Sequence, residues 1–147
     1  MKRSERLRVI ETLAKQREDQ AATALGQIRA QVEAEQGRYQ ELENYRTEYM
    51  GYLDEQAGQS ISIEQWRRTQ GFIDQLGDLM LRQKQAVLQW KQRESQVLQK
   101  WQVLYQRRKN IGQFIDNISM EEVVAEDKKE QQAIDELVSI RFHQSDT

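Results

Sequence analysis

Two stretches of this chain repeat apolar side chains at alternating steps of three and four residues, the spacing of a coiled-coil seam. In the first stretch, heptad position d falls at Leu7, Ala14, Ala21, Ile28, Glu35, Leu42 and Tyr49. Position a falls at Leu25, Val32, Tyr39, Arg46 and Leu53, so that Glu35 and Arg46 are the polar exceptions. Before Leu25 the seam thins to alanines and charged residues, and we expect that end to be looser.

The second stretch holds the same phase for longer. Its a positions are Trp66, Ile73, Met80, Val87, Glu94, Trp101, Arg108 and Ile115. Its d positions are Thr69, Leu76, Gln83, Trp90, Val97, Leu104, Ile111 and Ile118. A surface helix that packs against nothing has no reason to keep a heptad phase over this length. The pattern therefore predicts a second, longer coiled-coil helix.

Between the two stretches the pattern breaks within residues 54–61. Gly58 is suited to the left-handed conformation that ends many helices. Ser62 and Gln65 have the spacing of a capping box, and Ile61 with Trp66 has that of a hydrophobic staple. These signals predict that a new helix begins near Ser62.

The predicted fold class is all-α, a long antiparallel hairpin of two helices within a single coiled-coil domain, residues 1–147. We expect helices over about 4–56 and 62–118, with a turn at about 57–61. A turn centred near Gln59 places residue i level with residue 118 − i, so the first helix ends near the level of residue 114. The second helix, continuing or broken at a capping-box signal at Ser119 and Glu122, then overhangs to about residue 140, before a flexible tail.

Composition adds constraints on chemistry. The chain has 147 residues, no proline, no cysteine and a net charge of −2 made of both signs. The absence of a single-signed field argues against a nucleic-acid partner. The single histidine, His143, stands without clustered ligands, and a two-helix rod offers no pocket for acid–base catalysis or a small-molecule substrate. We expect no enzymatic activity, cofactor or metal. With no signal-peptide or membrane-spanning run, we expect a cytoplasmic protein.

Apolar side chains also recur beside the seam, at heptad position g. They are Tyr45 and Tyr52 on the first helix, and Phe72 and Leu79 on the second. In an antiparallel pair the g positions of both helices flank the same side of the seam, so these side chains are predicted to form one apolar patch near the turn. Such a patch marks a contact site for another protein, although a locally widened core is the alternative.

At this patch the sequence resembles the FliJ family of flagellar export components. The resemblance rests on LENYRTEYMGYL at residues 42–53, on the SISI run before Trp66, and on the residues that follow. These are Phe72, Ile73, Leu76, Gln83, Val87, Leu88, Trp90, Val97 and Trp101. It extends from about Leu7 to Ile140.

The resemblance implies a stalk-like antiparallel coiled coil that lacks enzymatic activity. Its free ends would insert into the flagellar export ATPase ring and activate it, its hairpin side would bind the linker of the membrane export gate, and it would escort export chaperones. It would then associate peripherally with the inner-membrane export apparatus. The implied gate-binding patch is Leu42, Tyr45, Tyr49, Phe72, Leu76 and Leu79. Arg107, Arg108 and Lys109 lie near the free end, which makes them candidates for contacts with the ring that the resemblance implies.

Three other interpretations are compatible with the residues. One is a generic coiled-coil adaptor or homodimer that uses the same apolar patch. Another is the related stalk of a virulence-type secretion system. The third is a three-helix bundle, in which the chain after Ser119 folds back onto the hairpin.

Overall fold

The computed structural model describes residues 1–145, and within them the chain forms two long helices. Helix α1 spans Arg3–Gln56 and helix α2 spans Ile63–Ser145. The two helices pack against each other, which confirms the all-α helical hairpin predicted from the heptads. The last two residues of the predicted C-terminal tail lie outside the described residues.

The connection is stabilised by backbone and side-chain hydrogen bonds at each helix end. The Gln65 amide donates to the Ser62 hydroxyl at 3.1 Å, so Ser62 is the N-cap of α2. The prediction of a left-handed Gly58 was wrong, because no glycine in the described chain has a positive φ. Instead, α1 ends in tight turns in which the amides of Ala57 and Gln59 donate to carbonyls three residues earlier.

One of the two compact units of the chain, Gln20–Trp101, contains the turn. Its seam is apolar and follows the predicted a and d positions. The buried apolar side chains on the two helices are Ala21, Leu25, Val32, Leu53, Ile73, Leu76 and Met80. Alternation of three and four residues therefore aligns one narrow stripe on each helix, and this stripe supplies the core.

A polar layer interrupts this seam at Glu35, one of the two exceptions in the heptad pattern. Glu35 is buried, and the Gln83 side-chain amide donates both to its carboxylate and, at 2.9 Å, to its backbone carbonyl. Gln31 donates to the same carboxylate at 3.0 Å, and Arg38 pairs with it at 3.1 Å. The burial of this charge is therefore offset by several hydrogen bonds.

The second unit combines Met1–Asp19 with Gln102–Thr147. Its apolar seam residues include Ala14, Ile115 and Ile118, and Ile115 is completely buried. Glu18, also buried, accepts hydrogen bonds from the Arg108 guanidinium. The hydrogen bond with Glu18 raises the pKa of Arg108 above its ordinary value. Charged side chains at this end thus pair across the seam.

The start of α1 is held by a carboxylate on α2. The Ser4 hydroxyl donates to Glu122 at 2.6 Å, and the Ser4 amide donates to the other oxygen at 3.1 Å. Amides in the first turn of a helix lack intrahelical partners, and negative charge is favoured there. Glu122 therefore caps α1 from the opposite helix, and Lys2 adds an ion pair to Glu126 at 3.4 Å.

The pairing of levels agrees with the simple count about Gln59 at Glu35 and Gln83 but differs from it at other contacts. Ser4 meets Glu122 where the count predicts residue 114, and Glu18 meets Arg108 where it predicts residue 100. In the turn-side unit, the Tyr49 ring contacts Phe72 where the count predicts residue 69. The count assumed that both helices begin level at the turn. The first turn of α2 instead leaves Ile63 and Trp66 72% and 46% exposed, as expected if it extends past the end of α1.

Two expectations about the C-terminal part of α2 are corrected as a result. Partners from α1 extend to Glu122 and Glu126, not only to residue 114, so the overhang is shorter than predicted. Helix α2 also continues through Ser119 without a break, which excludes the three-helix bundle in which the chain folds back there. Every position from 123 through 144 is exposed. We refer to residues 123–144 as the overhang.

Substitution of the helical glycines is predicted to raise stability where space is open. A Cβ at Gly37 would meet nothing within 4 Å. Gly37→Ala should therefore stabilise the hairpin by about 1 kcal/mol, the helix-propensity difference. A Cβ at Gly112 would lie 3.0 Å from a carboxylate oxygen of Glu11, so Gly112→Ala should gain less. Chemical denaturation followed by circular dichroism measures the free energy of unfolding of both variants. Equal gains would show that the Glu11 carboxylate does not crowd the methyl group added at position 112.

The Glu122 cap is predicted to make the start of α1 sensitive to acid. Hydrogen bonds from the Ser4 side chain and amide lower the pKa of Glu122, so the docked state favours the carboxylate. Its stabilisation is present above the ordinary pKa of a glutamate and is lost as pH falls through the lowered pKa. Carbon chemical shifts of residues 4–8 should show fraying over that range. Glu122→Gln should remove this pH dependence, and identical titrations of the two proteins would refute the cap.

Candidate partner-docking surface

An exposed group of aromatic and apolar side chains lies beside the seam in the turn-side unit. Its members are Tyr45, Tyr49 and Tyr52 on α1, and Phe72 and Leu79 on α2; we call them the aromatic cluster. Their exposed fractions run from 39% for Tyr49 to 53% for Tyr45. Four of them occupy position g, where a two-helix seam has no third helix to cover them. The cluster is thus a surface feature and not a widened core.

The two helices meet within the cluster at Tyr49 and Phe72. Their ring centroids are 4.8 Å apart and their planes form an angle of 71°, an edge-to-face contact. Such a contact is worth about 0.5–1.5 kcal/mol beyond area burial and fixes both rings in orientation. The cluster therefore presents ordered aromatic edges and phenol hydroxyls to solvent, a surface suited to binding another protein.

The residues of the implied gate-binding patch are not equally accessible. Tyr45, Phe72 and Leu79 are 53%, 41% and 45% exposed, whereas Leu76 is 4% exposed and belongs to the core. Leu42 is half-buried in the seam. A partner that reached this flank would touch the position g side chains first, and Leu76 would act by holding Phe72 and Leu79 in place.

The three basic residues proposed for ring contacts, Arg107, Arg108 and Lys109, also differ in their exposure to solvent. Arg107 and Lys109 are exposed, but Arg108 is half-buried and bonded to Glu18. Arg108 thus belongs to the seam, and of these three residues Arg107 and Lys109 present their charge to solvent.

A second surface of the turn-side unit was missed from the sequence. On the other flank of the seam, at position e, a shallow hollow beside Tyr39 is bordered by the exposed side chains of Leu81 and Leu88. The available signal was the seven-residue spacing of Leu81 and Leu88, which places two leucines on one outward face of α2.

The described residues offer little for other kinds of chemistry. Across residues 1–145, no group of three or more His, Cys, Asp or Glu side chains is arranged to hold a metal ion. Neither helix, over its described length, has a stretch apolar enough to cross a membrane.

The fold defines a class of protein, an all-α helical hairpin with exposed apolar side chains on its flanks. The profile of the FliJ family, described as "Flagellar FliJ protein", matches residues 2–147, and the chain belongs to this family. A Flagellar FliJ protein of Salmonella typhi is 26% identical over 130 residues, covering 88% of each chain. Its counterpart in Escherichia coli K12 is 25% identical over the same length and share. No solved structure matches the chain.

The difference in exposure predicts a large loss of stability when Leu76 is truncated and a small one when Tyr45, a member of the aromatic cluster, is truncated. Leu76→Ala should cost about 2–5 kcal/mol, because it opens a cavity in the seam. Tyr45→Ala should change the free energy of unfolding by no more than about 0.5 kcal/mol, as surface substitutions do. Urea denaturation distinguishes the two. A large loss for Tyr45→Ala would place that ring in the core and remove it from the docking surface.

Proposed function

We propose that this chain is a non-enzymatic stalk of the flagellar protein export apparatus, acting in the cytoplasm at the inner membrane. The observation that carries the proposal is the match to the FliJ family over nearly the whole chain. Both named relatives are flagellar proteins, which favours this role over the stalk of a virulence-type secretion system.

The two ends of the stalk are proposed to bind different partners. The overhang, a single helix exposed at every described position, is narrow enough to enter the pore of the export ATPase ring and to promote the activity of the ring. Arg107 and Lys109 are the candidates for charged contacts with ring subunits, whereas Arg108 is engaged with Glu18.

At the other end, the aromatic cluster is proposed to bind the cytoplasmic linker of the export gate. Tyr45, Phe72 and Leu79 supply an apolar face with hydroxyl groups nearby, and such aromatic anchors dominate many protein interfaces. Export chaperones are proposed as further partners, which the stalk would escort. A chain that binds two machines at once would couple them without any chemistry of its own.

The two proposed surfaces share no residue, which predicts that each interaction can be removed alone. Tyr45→Ala with Phe72→Ala should weaken binding to the gate linker at least about tenfold, as expected when two anchors are lost. The same variant should stimulate the export ATPase as the wild type does. A chain ending at residue 126 lacks most of the overhang but keeps the Glu122 cap. It should bind the gate linker as the wild type does but fail to stimulate the export ATPase. Isothermal titration with the purified linker and an ATPase assay measure both.

Thermal melting by circular dichroism is the control for intact folding. Loss of both interactions in either variant, despite intact melting, would contradict a stalk with two separate binding ends.

A further inference from the structure

The hollow on the e flank of the turn-side unit extends into a groove along α2. Two adjoining depressions share Tyr39 and Lys84. Their other main lining residues are Arg46, Asp78, Leu81, Val87, Leu88 and Lys91. We call this the e-side groove. Leu81 and Leu88 are 65% and 54% exposed on its outer wall, so it is an apolar surface without a cover.

Gly77 and Arg46 both line the part of the groove near the turn. Gly77 has no side chain, and a Cβ there would lie 3.9 Å from the Arg46 guanidinium carbon. The Nε atom of Arg46 is buried without a hydrogen-bond partner within the described chain. A buried donor without a partner is costly, so this wall of the groove is not optimised for the free hairpin alone.

Charge is distributed unevenly along the groove. Asp74 and Asp78 line the depression near the turn together with Arg46 and Lys84. Lys84 and Lys91 line the second depression, farther along α2, which has no carboxylate. Leu81 and Leu88 stand among them. A helix that fits the groove should therefore carry acidic residues at one end, apolar residues in the middle and a basic residue at the other end.

The overhang carries such a pattern on the face of α2 opposite to the seam. Asp127, Glu130, Ile134, Leu137 and Arg141 follow one another at steps of three and four residues. All five are exposed, and Ile134 and Leu137 are 54% and 63% exposed. This is a second heptad stripe, and it is distinct from the seam stripe, which would pass through Lys129, Gln132 and Glu136. Its order is acidic, apolar, basic.

We propose that the overhang of a second copy of this chain docks in the e-side groove, antiparallel to α2. Asp127 and Glu130 of that copy then lie beside the lysines of the groove. Ile134 and Leu137 cover the exposed leucines, and Arg141 lies beside the aspartates. The lengths agree, because at 1.5 Å per residue the stripe from 127 to 141 spans about 21 Å and the groove from 78 to 91 about 20 Å.

Docking in this way makes a local three-helix bundle and hides apolar surface on both partners. It also occupies the overhang, so a self-associated chain is withheld from any other partner of that segment. The inference rests on groove and stripe alone and does not depend on the proposed role in export.

Charge exchange between the two surfaces tests the inference by sedimentation equilibrium of the purified full chain. The wild type should associate with rising concentration. Lys84→Glu with Lys91→Glu should weaken association about tenfold or more, since like charges would then face each other. Asp127→Lys with Glu130→Lys should do the same, and the four substitutions together should restore association. Arg107→Glu with Lys109→Glu makes the same change in net charge outside the groove and should have no effect.

Three results would overturn the inference. One is a chain that remains monomeric at its highest soluble concentration. Another is a fourfold variant that associates as weakly as the two double variants while retaining wild-type helicity. The third is association that is lost in Tyr45→Ala with Phe72→Ala but kept in the groove variants, which would assign the contact to the aromatic cluster instead.

Discussion

The seam between two helices is the constraint on which the rest of the structure depends. A two-helix coiled coil can bury only its a and d positions, and the flanking e and g positions remain in water. In this chain Tyr45, Phe72 and Leu79 lie on the g side of the seam. The e side carries the hollow that Tyr39 and Leu81 line. No arrangement of two helices could bury them all. Interaction surfaces are therefore a direct consequence of placing large apolar residues beside a minimal core.

Polar layers in the seam perform a different task. An apolar heptad repeat tolerates slippage by one heptad, because every a residue resembles the next. A slipped pairing would separate Glu35 from Gln83 and Glu18 from Arg108. Glu35 would keep its contacts with Gln31 and Arg38 on its own helix, but the buried Glu18 would lose Arg108, at a cost of several kcal/mol. These polar layers stabilise the hairpin less than apolar layers would, but they determine the register of α1 against α2.

The heptad pattern was sufficient to predict the helices and the seam because it repeats over many turns. Ser62 could be identified as a cap for a similar reason, since the N-cap depends on residues within one turn. The level pairing was misplaced, because it depends on how far α2 extends past α1, which no local signal records. The role of Ser4 and Glu122 depends on that pairing and was missed with it. The aromatic cluster could be predicted from position g alone, whereas the e-side groove required knowing that Gly77 leaves space beside Arg46.

The helix that leaves the hairpin changes the face on which it is apolar. Up to Ile118 the buried side of α2 is the a and d stripe, but beyond Ala125 these positions are polar, whereas Ile134 and Leu137 lie on the outward face. A segment intended only to remain in solvent needs no apolar face. A segment intended to extend the same seam would keep its phase. Ile134 and Leu137 therefore do not continue the seam stripe, and their exposure is a property of the outward face of α2.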